Sequence, residues 1–134
     1  MEIQYRTTQS FERSQLQQLF LAVEWSSGNY PDRLQTAMKN ADTVFSAWDG
    51  TKLVGLMHAV SDGVMTAYFQ YLLVHPDYQS RGIGNALVTA MLGKYKDCAR
   101  KVLIAYDKEI EFYKSCGFLV GHGKTPMFIT YLST

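Results

Sequence analysis

Residues 71–87 read YLLVHPDYQSRGIGNAL, and they decide how the rest of the chain is interpreted. An apolar, β-prone run ends at His75-Pro76, a short polar loop follows, and a helical pattern begins directly after Gly82-x-Gly84. Glycines let a backbone approach a ligand closely, and the first N–H groups of a helix, at its positive end, favour an anion. The stretch therefore predicts a strand, a glycine loop and a helix that together bind a phosphate group.

Composition narrows the class of protein. The 134 residues suit one domain with one core, so residues 1–134 are expected to form a single domain. The net charge of +1 gives no indication of a nucleic-acid partner or an anionic membrane surface, and no apolar run approaches the roughly 20 residues of a membrane span. Two distant cysteines match neither a zinc site nor a redox pair, and the first residues lack a signal-peptide layout. We expect a cytoplasmic protein without a metal site.

Hydrophobic spacing predicts the elements around the glycine loop. Helices are expected up to about Trp25, from about Pro31, over residues 83–96 and over residues 108–116. Strands are expected at residues 3–7, 43–48, 53–60, 65–74, 101–106, 118–120 and 127–132. The turns Asp49-Gly50 and Asp62-Gly63 make three central strands an antiparallel meander, and the strands around the glycine loop should be parallel. The predicted class is α+β, with a mixed, mostly antiparallel sheet flanked by about four helices.

In this order of elements the chain resembles the GNAT family of acetyl-CoA-dependent N-acetyltransferases. Gln79-x-x-Gly82-x-Gly84 resembles the family's cofactor motif, Gln/Arg-x-x-Gly-x-Gly/Ala. Residues 112–118, FYKSCGF, resemble its C-terminal Phe-Tyr-x-x-x-Gly-Phe segment. The resemblance covers nearly the whole chain. It implies the GNAT fold, in which the strand before the loop splays from its parallel neighbour at residues 101–106 and acetyl-CoA lies in the gap.

The resemblance also implies roles for single residues. The expected cofactor-binding residues are Leu72, Leu73, Val74, Gln79, Ser80, Arg81, Gly82, Ile83, Gly84 and Asn85. A β-bulge near Leu72 or Leu73 would free an N–H group to polarise the thioester carbonyl. Tyr113 would be the general acid that protonates the departing thiolate.

The acceptor side is less defined. Glu24, Trp25 and Tyr30 flank a helix break that borders the acceptor pocket in this family, and they would suit an amine with an apolar body. Packing at the helix ends explains these three residues equally well. Tyr68 and Gln70 occupy the strand region where some members carry a glutamate base, and structural roles are favoured for both. The base is unassigned, and water relayed by a polar neighbour is the expectation.

The predicted function is transfer of an acetyl group from acetyl-CoA to a primary amine, that of a small molecule, by direct attack. Two alternatives stay open, a non-catalytic acyl-CoA-binding or regulatory module and an enzyme that acetylates a protein amine. A different nucleotide on the glycine loop is a third, although no Walker-type Gly-Lys-Ser/Thr is present. Many family members carry an asparagine where this chain has Tyr106, so the contact that this asparagine makes to the cofactor or to water is in question here. A homodimer is a further expectation, since dimers are common in the family and usually use the C-terminal strands.

Overall fold

A five-stranded sheet runs through the middle of the molecule, in a computed structural model that describes residues 2–133. Its strands are β1 (Gln4–Arg6), β2 (Thr43–Asp49), β3 (Lys52–Ser61), β4 (Thr66–Val74) and β5 (Arg100–Leu103). They lie side by side in chain order, and every neighbouring pair is antiparallel except β4 and β5. The predicted meander, the parallel pair and the α+β class are therefore confirmed.

Four helices flank this sheet in the described residues: α1 (Arg13–Ala22), α2 (Pro31–Asn40), α3 (Ile83–Lys94) and α4 (Ile110–Ser115). Local chemistry fixes where they begin. At α1 the Glu12 N–H donates to the Gln15 side chain at 3.0 Å, and Pro31 occupies the first turn of α2, where its missing N–H costs nothing. Gly82 precedes α3 with a φ of 82°, the left-handed conformation that glycine adopts without strain.

The core is divided by the sheet into two apolar layers. On one face α3 buries Ile83, Leu87 and Met91 against β-strand residues, and on the other α1 and α2 bury a second cluster centred on Leu16 and Phe20. Each fully buried side chain of this size contributes about 1.5–3 kcal/mol relative to exposure. The helices are thereby fixed to the sheet, and their ends hold the loops at its edge.

Strands β4 and β5 separate part of the way along. Their pairing runs from Thr66 opposite Arg100 to Phe69 opposite Leu103 and stops there, as the splayed pair requires. On the other side of β4 the register shifts, because Tyr71 faces His58 while Phe69 faces Ala59, so one extra residue lies between them. The bulge therefore lies at Gln70, and the prediction of a bulge near Leu72 or Leu73 was wrong. An extra residue bends its strand, so the bulge falls where β4 turns away from β5.

The prediction of two C-terminal strands was also wrong, since no described residue after α4 is in a strand. The strands were expected at residues 118–120 and 127–132. Residues 119–133, here called the C-terminal tail, leave Leu119 and Met127 each 90% exposed. A β-prone sequence forms a strand only where it pairs with the edge of a sheet, and in the described residues the tail does not pair with the open edge of β5. The tail ends on the α1–α2 connection, where the Ser133 N–H donates to the Ser26 hydroxyl at 3.0 Å.

Candidate active site

A cavity of about 600 Å³ opens where β4 and β5 separate. Three parts of the chain line it: the end of α1, the second half of β4 with the loop that follows it, and the segment from β5 to α4. Of the predicted cofactor-binding residues, all but Arg81 line this cavity: Leu72, Leu73, Val74, Gln79, Ser80, Gly82, Ile83, Gly84 and Asn85. Tyr113 lines it as well. The structure thus brings both sequence motifs to one cleft.

The loop before α3 is held by its own side chains. The Gln79 amide donates to the Val74 carbonyl at 3.0 Å, which ties the loop back to the end of β4. Ser80 and Gly82 both have left-handed backbones, with φ of 63° and 82°. The first intrahelical bond runs from the Ala86 N–H to the Gly82 carbonyl at 3.0 Å. The N–H groups of residues 83–85 precede it, so they have no acceptor within the helix and can bind an anion.

The start of α3 and the start of α4 lie against each other. A Cβ atom added at Gly84 would lie 3.5 Å from the Phe112 ring, an ordinary contact distance. Phe112 therefore anchors α4 beside the glycine loop, and Tyr113 follows it directly in the chain. This contact sets the distance between the anion-binding end of the cavity and the tyrosine.

Tyr113 is held between two aromatic rings, with centroids 5.1 Å from Phe112 and 5.9 Å from Phe118. Burial raises the pKa of Tyr113 to about 12, and the negative charge of Glu109 adds to the effect. The phenol therefore keeps its proton throughout the physiological pH range. Its hydroxyl can serve as a hydrogen-bond donor or as an acid in that range, and the phenolate is not present there to serve as a base.

The cationic side chains near the loop gather around Tyr78. The Arg81 guanidinium lies 5.5 Å and the Lys52 ammonium 5.4 Å from the centre of this ring, and the Tyr78 hydroxyl donates to Asp49 at 2.6 Å. Arg81 is thus the one predicted cofactor-binding residue outside the cavity lining. Both cations lie beside the glycine loop, together with the Asp49 carboxylate that accepts from Tyr78.

On the acceptor side the predicted residues divide. Glu24, Trp25 and Gln70 line the cavity, whereas Tyr30 and Tyr68 do not. A 3₁₀ turn at Ser26–Asn29 carries Tyr30 away from the cavity, and its ring packs on Tyr131 of the tail at 5.8 Å. Tyr68 lies on the paired part of β4, opposite Val102 of β5.

Several residues that line the cavity were not among the predicted site residues, and two of them carry polar groups and shortly precede the predicted acid in the chain. Tyr106 and Glu109 follow β5 and face the same cavity. Tyr106 stood out in the sequence only as a departure from an expected asparagine, and its ring now lies 6.3 Å from that of Trp25. The contact joins residues 81 positions apart in the chain, so no local pattern indicates it.

Within residues 2–133 the structure contains no group of three or more His, Cys, Asp or Glu side chains arranged to hold a metal ion. None of the helices described in that range has the length and apolar character needed to cross a membrane. Cys98 and Cys116 are both free thiols.

Comparison with known proteins places this architecture in a family. Residues 8–118 match the model of the acetyltransferase (GNAT) family, and the chain belongs to that family. It is 27% identical over 111 residues to an uncharacterized N-acetyltransferase ycf52 of Pyropia yezoensis, covering 78% of this chain and 63% of the relative. A ycf52-like protein of Prochlorococcus marinus is 31% identical over 110 residues, covering 78% and 61%. The chain thus spans less than two thirds of the length of these relatives.

A solved structure agrees with the family assignment. A GNAT-family acetyltransferase of Streptococcus pneumoniae TIGR4 superimposes with a TM-score of 0.83 at 28% identity, over 96% of this chain and 98% of its own. Residues 8–118, which the family model matches, include the splayed strands and both motifs. The GNAT fold predicted from the sequence is confirmed.

Proposed function

We propose that the chain is an acetyl-CoA-dependent N-acetyltransferase whose acceptor is the primary amine of a small molecule. One observation carries the proposal: a single cavity joins the backbone anion site at residues 79–85 to the Tyr113 hydroxyl, along the open edge of β4. A phosphate-bearing donor at one end and an acid at the other are what acyl transfer from a thioester requires.

The residues present fit coenzyme A. The N–H groups at the start of α3 would hold its pyrophosphate, and none of the described residues that line the cavity at the glycine loop is acidic. Beyond Phe69 the main chain of β4 has no strand neighbour on the β5 side, so residues 72–74 can pair with the amide groups of the pantetheine arm. Lys52 and Arg81 lie beside the loop, at the Tyr78 ring, and their positive charges can interact with the phosphates.

Acetyl-CoA, when bound, supplies a thioester whose C–S bond breaks as the N–C bond to the amine forms, giving an amide and a thiol. Tyr113 holds a proton at its hydroxyl oxygen, beside the position that the sulfur would take, and donates it to the departing sulfur. An acceptor that arrives protonated first loses one proton, because only the neutral amine attacks, and it loses a second proton as the amide forms. Both protons leave through water at the open mouth of the cavity. The phenolate of Tyr113 then recovers a proton from the same water, so charge and protons balance.

The test combines binding and turnover. Acetyl-CoA at 100 times its Kd should stabilise the fold by about 2.7 kcal/mol, which thermal unfolding detects as a rise in Tm. Thiol release is then followed with a panel of amines that includes small molecules and peptide amino termini. A rise in Tm without thiol release from any amine would favour the acyl-CoA-binding module. Turnover confined to peptides would favour a protein acceptor, and ATP or NAD replacing coenzyme A in competition would end the proposal.

We also propose a homodimer built through the C-terminal tail. Met127 and Ile129 are 90% and 106% exposed, although residues 127–132 have a strongly β-prone sequence. The outer edge of β5 has no neighbour among the described strands. A second copy offers a matching free edge and a matching free segment, so pairing between copies would satisfy both. Light scattering should give the mass of a dimer for the wild type and for Lys124→Asp, and the mass of a monomer for Ile129→Asp. A monomeric wild type would contradict the proposal.

The cytoplasmic location stays a proposal. The two free thiols support a reducing compartment. Fractionation of cells that express the chain would test it.

A further inference from the structure

We infer that the acceptor is an amine carried on an aromatic or similarly flat apolar body. The body lies on Trp25 and Tyr106, and the Glu24 carboxylate attracts the protonated amine. The inference rests on the proposed function and concerns the part of the same cavity that Glu24, Trp25 and Tyr106 line. The α1–α2 connection supplies Glu24 and Trp25, and Tyr106 follows β5. Because the glycine loop and residues 72–74 are assigned to the donor, these three residues are left for the acceptor.

The two rings form one wall. Their centroids are 6.3 Å apart and their planes are inclined by 54°, so they contact each other and leave no slot between them. Tyr106 is 46% exposed, and both residues line the cavity. A substrate ring would therefore lie against the free faces of this wall rather than between its members. Aromatic faces also attract cations, which suits a protonated amine arriving at the mouth.

Other aromatic side chains hold Trp25 in place. Its ring is 6.0 Å from fully buried Phe20, in an edge-to-face arrangement, and 6.1 Å from Tyr71. Phe20 and Tyr71 are themselves 5.2 Å apart, edge to face. The wall is thus connected to the core under α1, and binding would not have to order a loose tryptophan.

Glu24 occupies a position where glycine is favoured. Helix α1 ends with the Glu24 N–H donating to Leu21 at 3.0 Å and the Trp25 N–H donating to Phe20 at 3.0 Å. This is the helix ending that takes a left-handed residue, and Glu24 has a φ of 63°. A non-glycine residue is strained there, and such strain concentrates at functional sites. The exposed Glu24 lines the cavity immediately before Trp25.

The charges of the lining favour one cation rather than several. Among the described lining residues the charged ones are Glu24, Lys108 and Glu109. Two carboxylates and one ammonium suit a single positive group on an otherwise apolar molecule. They suit a polyamine poorly, because its several charges would meet Lys108 and the apolar wall.

The experiment measures kcat/KM for four acceptors at saturating acetyl-CoA: 2-phenylethylamine, n-butylamine, spermidine and a peptide amino terminus. We expect 2-phenylethylamine to exceed each of the others by about tenfold or more. Trp25→Ala and Tyr106→Ala should each reduce that preference to within about threefold, with the KM for acetyl-CoA unchanged. Tyr30→Ala, an aromatic residue outside the lining, should leave the preference intact.

Glu24→Gly separates recognition from folding. It should raise the Tm, since glycine relieves the left-handed backbone, and raise the KM for 2-phenylethylamine about tenfold. A variant that is more stable yet binds the amine less well cannot be explained by misfolding. A preference for spermidine or the peptide, or an unchanged KM in Glu24→Gly, would overturn the inference. If acetyl-CoA does not raise the Tm of the wild type, the proposed function itself fails.

Discussion

Removing the hydroxyl of Tyr113 gives the sharpest test of the mechanism. Tyr113→Phe keeps the ring and its contacts with Phe112 and Phe118, at 5.1 and 5.9 Å, so the free energy of unfolding should change by no more than about 1 kcal/mol. The variant loses only the proton donor beside the expected sulfur position. Stability and catalysis are therefore affected separately.

The size of the effect follows from the pKa. Burial raises the pKa of Tyr113 to about 12, above the value of about 8.5 for an ordinary thiol, so full proton transfer to a solvated thiolate is unfavourable. Donation of a hydrogen bond while the C–S bond lengthens is the larger benefit, with proton transfer completing late. We expect kcat to fall by about 100-fold, at the lower end of acid–base effects and equal to about 2.7 kcal/mol.

The assay is steady-state thiol release with the best acceptor of the panel. The KM for acetyl-CoA should stay within about threefold of the wild type. Tyr68→Phe is the matched control, because burial also raises the pKa of Tyr68 although this residue lies outside the cavity lining. Equal turnover of Tyr113→Phe and wild type, or a loss confined to KM, would refute the role of Tyr113.

The pH dependence provides a second readout on the same residue. The protonated phenol is the active form, so its contribution is present at lower pH and is lost only as the pH rises through about 12. The wild type should show no alkaline loss from Tyr113 below about pH 11. An alkaline limb near pH 9 that disappears in Tyr113→Phe would contradict the assigned pKa.

Three further predictions concern the loop and the core. Gly82→Ala places a Cβ on a backbone with φ of 82°, so it should lower the free energy of unfolding by about 1–2 kcal/mol and weaken acetyl-CoA binding. Gly84→Ala brings its Cβ to an ordinary 3.5 Å from Phe112 and should change the free energy of unfolding by less than about 0.5 kcal/mol. Denaturation measures the stability of both variants, and calorimetry measures their acetyl-CoA binding. Burial lowers the pKa of His58, so as the pH falls the unfolded chain takes up a proton before the native chain does. The free energy of unfolding should therefore decrease below pH 6.5, by at most about 1.4 kcal/mol per pH unit. Urea titrations should show this slope in the wild type and not in His58→Gln. Tyr95→Phe removes bonds to Thr43, at 2.6 Å, and to Asp42, and a thermal melt should show a loss of about 1–3 kcal/mol.

Several features could be predicted from the sequence because their causes are local. A residue that must adopt a left-handed backbone tends to be glycine, so the loop before α3 is visible at Gly82. Apolar spacing marks the helices and strands, and the Asp-Gly turns mark the meander. The order of these elements then indicates the family, and the two motifs indicate the loop and the tyrosine that line the cavity.

Other features depended on which segments find a partner. The bulge at Gln70 directly follows Phe69, the last residue of β4 that pairs with β5, and the β5 residues are about 30 positions away in the chain. The C-terminal tail has a strand-like pattern, but a strand needs an edge, and the tail pairs with none in the described chain. Periodicity gives the preference of a segment, while long-range packing decides whether that preference is met.

The glycine loop and the tyrosine motif were thus determined by the sequence itself, since their backbone conformation and spacing are local properties. The tertiary structure alone decided the wall of Trp25 and Tyr106, because these rings meet only after α1 and the segment beyond β5 have both packed at the open edge of the sheet. It also placed Tyr30 against the tail and Glu24 in the cavity lining. The proposed donor site follows from short-range rules, and the proposed acceptor site follows from contacts between segments far apart in the chain.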